Sequence, residues 1–195
     1  MTLIELATGL VIVSVLLVMG VSSFSGWMQN VQIRTAAESM LNGLQLARAE
    51  AVRRNAPVQF SLPDTAGKAS WTVGCSNVSD ACPDATIQSR SSDEGGDKAR
   101  VGANSATALN TTDLSVSAIS AGTGLPLAVQ FNSMGRISST NLNGNPSTLG
   151  ANQYVRIDVT HVSNPNARRM VVLVSGAGQA RMCDPALTNN SQGCQ

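Results

Sequence analysis

Glu5 is the one charged side chain in the first 21 residues, and the run from Leu6 to Val21 that follows it is uncharged and rich in Val, Leu, Ile and Met. A carboxylate at the head of such a segment is expensive to bury, and it marks a function that requires a specific partner. The other residues whose types suggest chemistry are four cysteines, Cys75, Cys82, Cys183 and Cys194, which fall into two pairs close in sequence. Neither pair has CxxC spacing, and His161 is the single histidine of the chain. A zinc site would need nearly all four thiolates gathered from two distant loops. The other reading is two local disulfides, Cys75–Cys82 and Cys183–Cys194, one of three possible connectivities. Disulfides would place the domain in an oxidising compartment such as the periplasm or cell surface.

Arg168, Arg169 and Arg181, with Arg156 and Arg136, fall around the last hairpin of the sequence. Arginine suits phosphate geometrically, so one reading is contact with DNA. The other is a solvated sheet face with ordinary ion pairs. Trp27, Trp71, Tyr154 and three phenylalanines are few aromatics for stacking bases. With 13 basic and 12 acidic residues the net charge is +1, which predicts no strong field of either sign. His161 stands beside a turn and reads as a surface residue. Asp64, Asp80, Asp84, Asp93, Glu94 and Asp97 are scattered through loops without EF-hand spacing. There is no Gly-x-Ser-x-Gly elbow, no paired-carboxylate pattern and no phosphate-binding glycine loop. The expectation is a protein that is not an enzyme and has no cofactor or metal.

The elements that must position these residues follow from periodicity. At 195 residues, one membrane or assembly helix plus one soluble domain is the natural count. Residues 1–26 read as an apolar helix half, for lipid or a helical bundle. The segment lacks a basic n-region and a cleavage site, so it is not a standard secretory signal. Gly20, Ser22, Ser23, Ser25 and Gly26 form a weak stretch where the helix could bend. Residues 27–56 read as an amphipathic half with Ile33, Ala37, Met40, Leu41, Leu44, Ala47 and Ala51 on one stripe. Arg34 with Glu38 and Glu50 with Arg54 are supporting i,i+4 pairs. Asn55 and Pro57 end the helix.

Residues 57–195 then alternate in the manner of strands at Val58–Leu62, Trp71–Val73, Leu114–Ile119, Leu127–Phe131, Tyr154–Thr160 and Arg169–Val174, with a last short strand at Gln179–Cys183. Residues 88–113 and 138–152 read as loops. One long helix followed by five to seven antiparallel strands is an α+β arrangement.

Thr2-Leu-Ile-Glu-Leu6 followed at once by the apolar helix resembles the type IV pilin superfamily. Within it the chain is most similar to the GspH/FimT type of minor pilin or pseudopilin. The residues that carry this are Ala36-Ala37-Glu38, Leu44 through Val58, Trp71, Val129-Gln-Phe-Asn-Ser-Met-Gly-Arg136 and the closing stretch Arg168 to Cys183. The resemblance implies a pilin-like fold, a long helix packed on an antiparallel sheet. It also implies removal of a leader by a prepilin peptidase, with methylation of the new amino terminus at Met1, where the family most often has Phe. It implies retention in the inner membrane as a single-pass protein with a periplasmic domain. An inner-membrane assembly platform would then transfer the subunit into a pilus at the cell surface, among major and minor pilins. Glu5 matches the family's conserved acid, which pairs with a neighbour's amino terminus in the filament. Some members carry a Gly-Arg-x-Arg element linked to DNA uptake. Here the matching positions are Gly178-Gln-Ala-Arg181, and the first arginine is absent. The expected role is a structural subunit that primes or caps a filament. The alternatives are a DNA-binding minor pilin and a type II secretion pseudopilin.

Overall fold

The structure, a computed structural model, describes residues 2–106, 114, 117–149, 153–164, 166–187 and 191–194, without the side chains of 18–23. The chain begins with one helix, α1, Leu3–Arg54, of 52 residues, which at 1.5 Å per residue is about 80 Å long. It runs without interruption through Gly20–Gly26, where the sequence predicts a bend. The helical hydrogen bonds continue because single glycines and serines cost only about 1 kcal/mol each against alanine. The helix stops where expected. Asn55 is left-handed at φ 50, and the N–H of Ala56 returns to the carbonyl of Ala51 at 3.2 Å. Pro57 cannot continue the ladder.

Ten strands follow: β1 Val58–Leu62, β2 Trp71–Cys75, β3 Gln88–Arg90, β4 Ala99–Ala106, β5 Leu127–Phe131, β6 Ile137–Leu142, β7 Asn145–Ser147, β8 Tyr154–His161, β9 Met170–Ser175 and β10 Ala180–Cys183. They form two antiparallel sheets. The six-stranded sheet has the order β3-β2-β1-β5-β6-β7, and the four-stranded sheet has the order β10-β9-β8-β4. Three of these strands, β3 and β4 within 88–113 and β7 within 138–152, lie in the stretches read as loops, and β6 begins at Ile137, where Arg136–Ile137 reads as the start of a strand, and runs on into the second of them. β3 and β7 carry no aliphatic side chain, and in β4 and β6 Ser, Asn, Thr, Gly and Arg dilute the apolar signal. They are strands because neighbours supply the ladder: β4 pairs with all eight residues of β8, from Ala99↔His161 to Ala106↔Tyr154. Conversely, Ser117–Ile119 of the expected strand Leu114–Ile119 are not strand, and Ser115 and Val116 lie outside the described residues.

The C-terminal half of α1 lies against both sheets. Ile33, Ala37, Met40, Leu44, Ala47 and Ala51 are fully buried in one core with Phe60, Trp71, Val73, Phe131, Ile157 and Val174. Leu41 of the expected stripe is only half-buried. The helix approaches the six-stranded sheet most closely at Gly43, where a Cβ would lie 2.8 Å from the Phe60 ring. The Trp71 indole N–H donates to Ser39 Oγ at 2.7 Å, which satisfies a buried donor. A second, smaller core of Leu114, Val171, Leu173, Cys183 and Cys194 covers the other face of the four-stranded sheet. β8 and β9 are therefore buried on both faces, which explains their unbroken runs of buried residues.

The turn between β9 and β10 closes against the turn between β5 and β6. Gly178 has φ +80, and a Cβ there would sit 1.9 Å from the Gly135 carbonyl oxygen. Gly178→Ala should lose about 2 kcal/mol or more, because the left-handed backbone and the backbone overlap both oppose a side chain. Chemical denaturation measures it; an unchanged midpoint would show that the two turns separate freely.

At the helix end, Glu50 accepts from Arg53 at 3.0 and 2.6 Å and from Arg54 at 2.7 Å, and Arg54 reaches Asp84 at 2.8 Å. The Arg53 hydrogen bond, then that of Arg54, holds the Glu50 carboxyl below its ordinary value of 4.5. A depressed folded value means that the stabilisation is present above the unfolded value and is lost as pH falls through the folded one. Glu50→Gln should therefore be less stable than the parent near neutrality, and the two should converge as pH falls through the lowered folded value. Parallel denaturation series across that range test this.

Candidate functional site

The N-terminal part of α1 touches nothing else in the chain. Leu3, Ile4, Leu6, Leu10, Val11, Ile12, Leu16 and Leu17 are all exposed, with Leu3 at 90% and Leu17 at 64%. Isolated exposed apolar residues need no explanation, but a whole helix surface of them marks an interaction surface. The few polar groups on this segment are satisfied within the helix. Glu5 reaches back to the Thr2 N–H at 3.3 Å, in a capping-box arrangement. The Thr8 hydroxyl donates to the Ile4 and Glu5 carbonyls at 3.1 Å, and Ser14 Oγ donates to the Leu10 carbonyl at 2.8 Å. A segment with its hydroxyls folded back is compatible with an apolar medium. Glu5 is the exception, since an N–H bond satisfies one lone pair but leaves the charge uncompensated. Met1 lies outside the described residues. Among the described residues no helix is long and apolar enough to cross a membrane.

The arginines are not one cluster. Arg168 is ion-paired to the buried Asp184. Arg169 turns inward, with NH1 at 2.7 Å from Asp158 Oδ2 and 2.9 Å from the Ser117 carbonyl; it also donates to the Leu114 carbonyl. Arg156 meets the same carboxylate with two bonds of 2.6 and 2.7 Å and donates to the Ser117 carbonyl. Asp158 is fully buried and also accepts from the Ile119 N–H at 3.0 Å. This network pins Leu114, Ser117 and Ile119 to the outer face of the four-stranded sheet. It takes Arg169 and Arg156 out of the solvated face on which the sequence places them. Arg181 is exposed on β10. Asp158 was not singled out by spacing. Its signal is the Arg156-x-Asp158 repeat, since residues two apart on a strand share a face.

Both cysteine pairs are bonded locally, Cys75–Cys82 across 7 residues and Cys183–Cys194 across 11, and no free cysteine remains. No thiolate is left for zinc, and among the described residues no three His, Cys, Asp or Glu groups could hold a metal. His161 is half-exposed, and burial, then Arg100 and Lys98, lowers its pKa; nothing nearby gives it a proton to transfer.

The architecture and the helix segment can now be set beside known proteins. Residues 36–178, more than half of the chain, match the family described as type II transport protein GspH. The chain belongs to the GspH family. No curated protein matches it. Among solved structures, this GspH-family chain is similar to the type IV minor pilin FimU of Pseudomonas aeruginosa in two crystal forms. In the first the TM-score is 0.50 at 14% identity, over 84% of this chain and 95% of that one. In the second the TM-score is 0.48 at 16% identity, over 83% and 99%. The likeness to the first is one of fold: a long N-terminal helix packed on an antiparallel sheet domain, the type IV pilin fold. The family match begins at Ala36, so residues 1–35, which include Glu5, lie outside it.

Proposed function

We propose that this GspH-family chain is a structural subunit of a type IV pilus or of a type II secretion pseudopilus, in the manner of a minor pilin. The observation that carries this is the exposed apolar helix, Leu3–Leu17, joined without a break to the buried helix of a β domain. A surface that is apolar all round has two suitable environments, lipid and a bundle of like helices. We place it in both in turn. Before assembly the segment sits in the inner membrane, with the disulfide-braced domain in the periplasm. After removal of a leader ahead of Met1 by a prepilin peptidase, and methylation there, the subunit passes through an inner-membrane assembly platform into the filament.

The physical difficulty lies in the transfer. Lipid tails are as apolar as leucine, so moving Leu3–Leu17 from bilayer to bundle gains little hydrophobic free energy. Packing and polar pairing must supply the preference. Among the described residues of the single subunit, the hydrogen bond to the Glu5 carboxylate comes from its own helix cap, the Thr2 N–H. In the bundle the Met1 amino group of a neighbour pairs with Glu5, so the charge is compensated and the stagger between subunits is set.

Shearing and purifying filaments, imaging them and identifying their subunits by mass spectrometry tests the proposal. The chain is expected in the filaments at low copy, and its deletion should reduce filament number. Loss of protein secretion on deletion, with pili intact, would place it in the pseudopilus instead. Absence from both assemblies would overturn the reading.

A further inference from the structure

The two ends of the four-stranded sheet meet α1 at different heights. At one end, Gln45 and Arg48 of the helix line a groove with Tyr154 and Gln179. At the other, Trp27, Asn30 and Val31 line a groove of about 480 Å3 with Arg168, Met170 and Met182. Two bonds fix this lower end. Asn164 Nδ2 donates to Gln29 Oε1 at 2.7 Å, and the Arg168 N–H donates to Asn30 Oδ1 at 3.1 Å. Asn164 and Arg168, from the connection between β8 and β9, are therefore held level with the helix residues where the domain begins.

That level carries a collar of exposed apolar side chains: Phe24, Trp27, Met28 and Val31 of α1, and Val162 from the β8–β9 connection. The two tryptophans of the chain differ. Trp71 is buried, with its indole N–H on Ser39. Trp27 packs its ring 5.6 Å from that of Phe24, and among the described residues its indole N–H has no acceptor. The cations at this end are already engaged. Arg34 pairs with Glu38 at 2.7 Å, Lys98 with Asp97 at 3.0 Å and Arg168 with Asp184, while Arg100 donates to the Asp97 and Ala99 carbonyls. The face therefore offers aromatic and aliphatic groups more than net charge.

We infer that this collar seats the β domain on the phospholipid headgroups of the leaflet from which α1 emerges. The inference rests on the membrane stage of the subunit reading above. At 1.5 Å per residue the rise from Leu3 to Trp27 is about 36 Å, against a hydrocarbon core of about 30 Å. A helix that enters at Leu3 thus brings Trp27 into the headgroup layer on the far side. Tryptophan suits that layer, since its ring is apolar and its N–H finds wet acceptors. Val162 joins it there from the domain, because the Asn164 and Arg168 bonds hold its connection at that height. The domain then has a second hold on the membrane besides its helix, which restricts its tilt until the subunit is extracted. A protein neighbour is the competing occupant. The headgroup layer is favoured because the helix rise alone sets the height of the collar and because the Trp27 N–H needs a polar partner.

Electron paramagnetic resonance on the full chain tests this. A spin-labelled amino acid replaces Ser163, beside Val162, or, as the control, Met134, which is exposed and whose turn packs on Arg48 and Val52. Arg48 lies about 28 Å further along α1 than Gln29. The chain is floated in phosphatidylcholine vesicles carrying a nickel-chelating headgroup lipid, which speeds the relaxation of nearby labels. Relaxation should be several-fold faster at Ser163 than at Met134. Trp27→Ser combined with Val162→Ser should abolish that difference while melting as the parent does, since both side chains are exposed. High salt should leave the difference in place, because salt screens charges and not apolar contacts. Equal relaxation at the two positions, a difference that survives the double substitution, or one that vanishes in high salt overturns the inference and leaves the subunit reading standing. So does a label at Ser163 that is free in vesicles and immobilised only in sheared filaments, which assigns the collar to a protein neighbour. Failure of the chain to float with the vesicles overturns the membrane stage of that reading as well.

Discussion

Asp158→Ala should destabilise the β domain by about 3–5 kcal/mol, the cost of leaving buried cations without their counter-charge. Asp158 is the shared acceptor of Arg156 and Arg169, whose side chains are only 10% and 14% exposed. Removing the carboxylate strands both guanidinium groups on a covered sheet face and frees the Ile119 N–H. Because the network holds Leu114, Ser117 and Ile119 in place, Leu114 should also leave its contacts with Val171, Leu173 and the Cys183–Cys194 disulfide. The melting temperature should fall by roughly 6–20 °C for a chain of this size. Hydrogen exchange at Ile119 should accelerate before the strands of the larger sheet respond. If the domain melts within about 1 kcal/mol of the parent, the network is solvated and the inward placement of Arg169 is wrong. Arg181→Ala is the control, since an exposed β10 side chain should change stability by no more than about 0.5 kcal/mol.

Glu5→Leu should leave a folded subunit that no longer enters filaments. The domain's own melting should not change, because residues 3–17 make no contact with its core. Insertion into lipid should be no worse, since the substitution removes a charge from an apolar segment. The lost function is the compensated pair in the helix bundle. Its rupture costs about 3–5 kcal/mol, or roughly two to three and a half orders of magnitude in an association constant. Filament incorporation, read as subunit per filament mass, should fall accordingly. Glu5→Gln keeps an acceptor for the Thr2 N–H but not the charge, and should behave nearly as badly. Normal incorporation of Glu5→Leu would show that Glu5 does no more than cap its own helix.

The two predictions depend on the sequence in different ways. Glu5 stands out in the sequence because its context is local: an acid followed by an uncharged apolar run is visible without any fold. The same is true of the helix end at Asn55–Pro57, of the buried stripe from Ile33 to Ala51, of β1, β5 and β8, whose apolar residues recur at the strand period, and of β9, a short unbroken apolar run. Proximity in sequence also makes the two short disulfide loops natural, although it leaves three connectivities open.

Asp158 is different. Nothing in Tyr154–His161 says which face of that strand is covered. Burial of Arg156 and Asp158 was decided by Ser117 and Ile119 lying against the sheet from 39 positions away. β3 and β7 form for a similar reason, since these short polar strands are held by their neighbours' backbones and not by an apolar face. Short-range physics, namely helix periodicity, proline, and the cost of a charge in an apolar run, wrote the assembly helix into the sequence. Long-range packing decided that Arg156 and Arg169 turn inward to Asp158, because burial is a property of what lies opposite a side chain and not of the side chain itself.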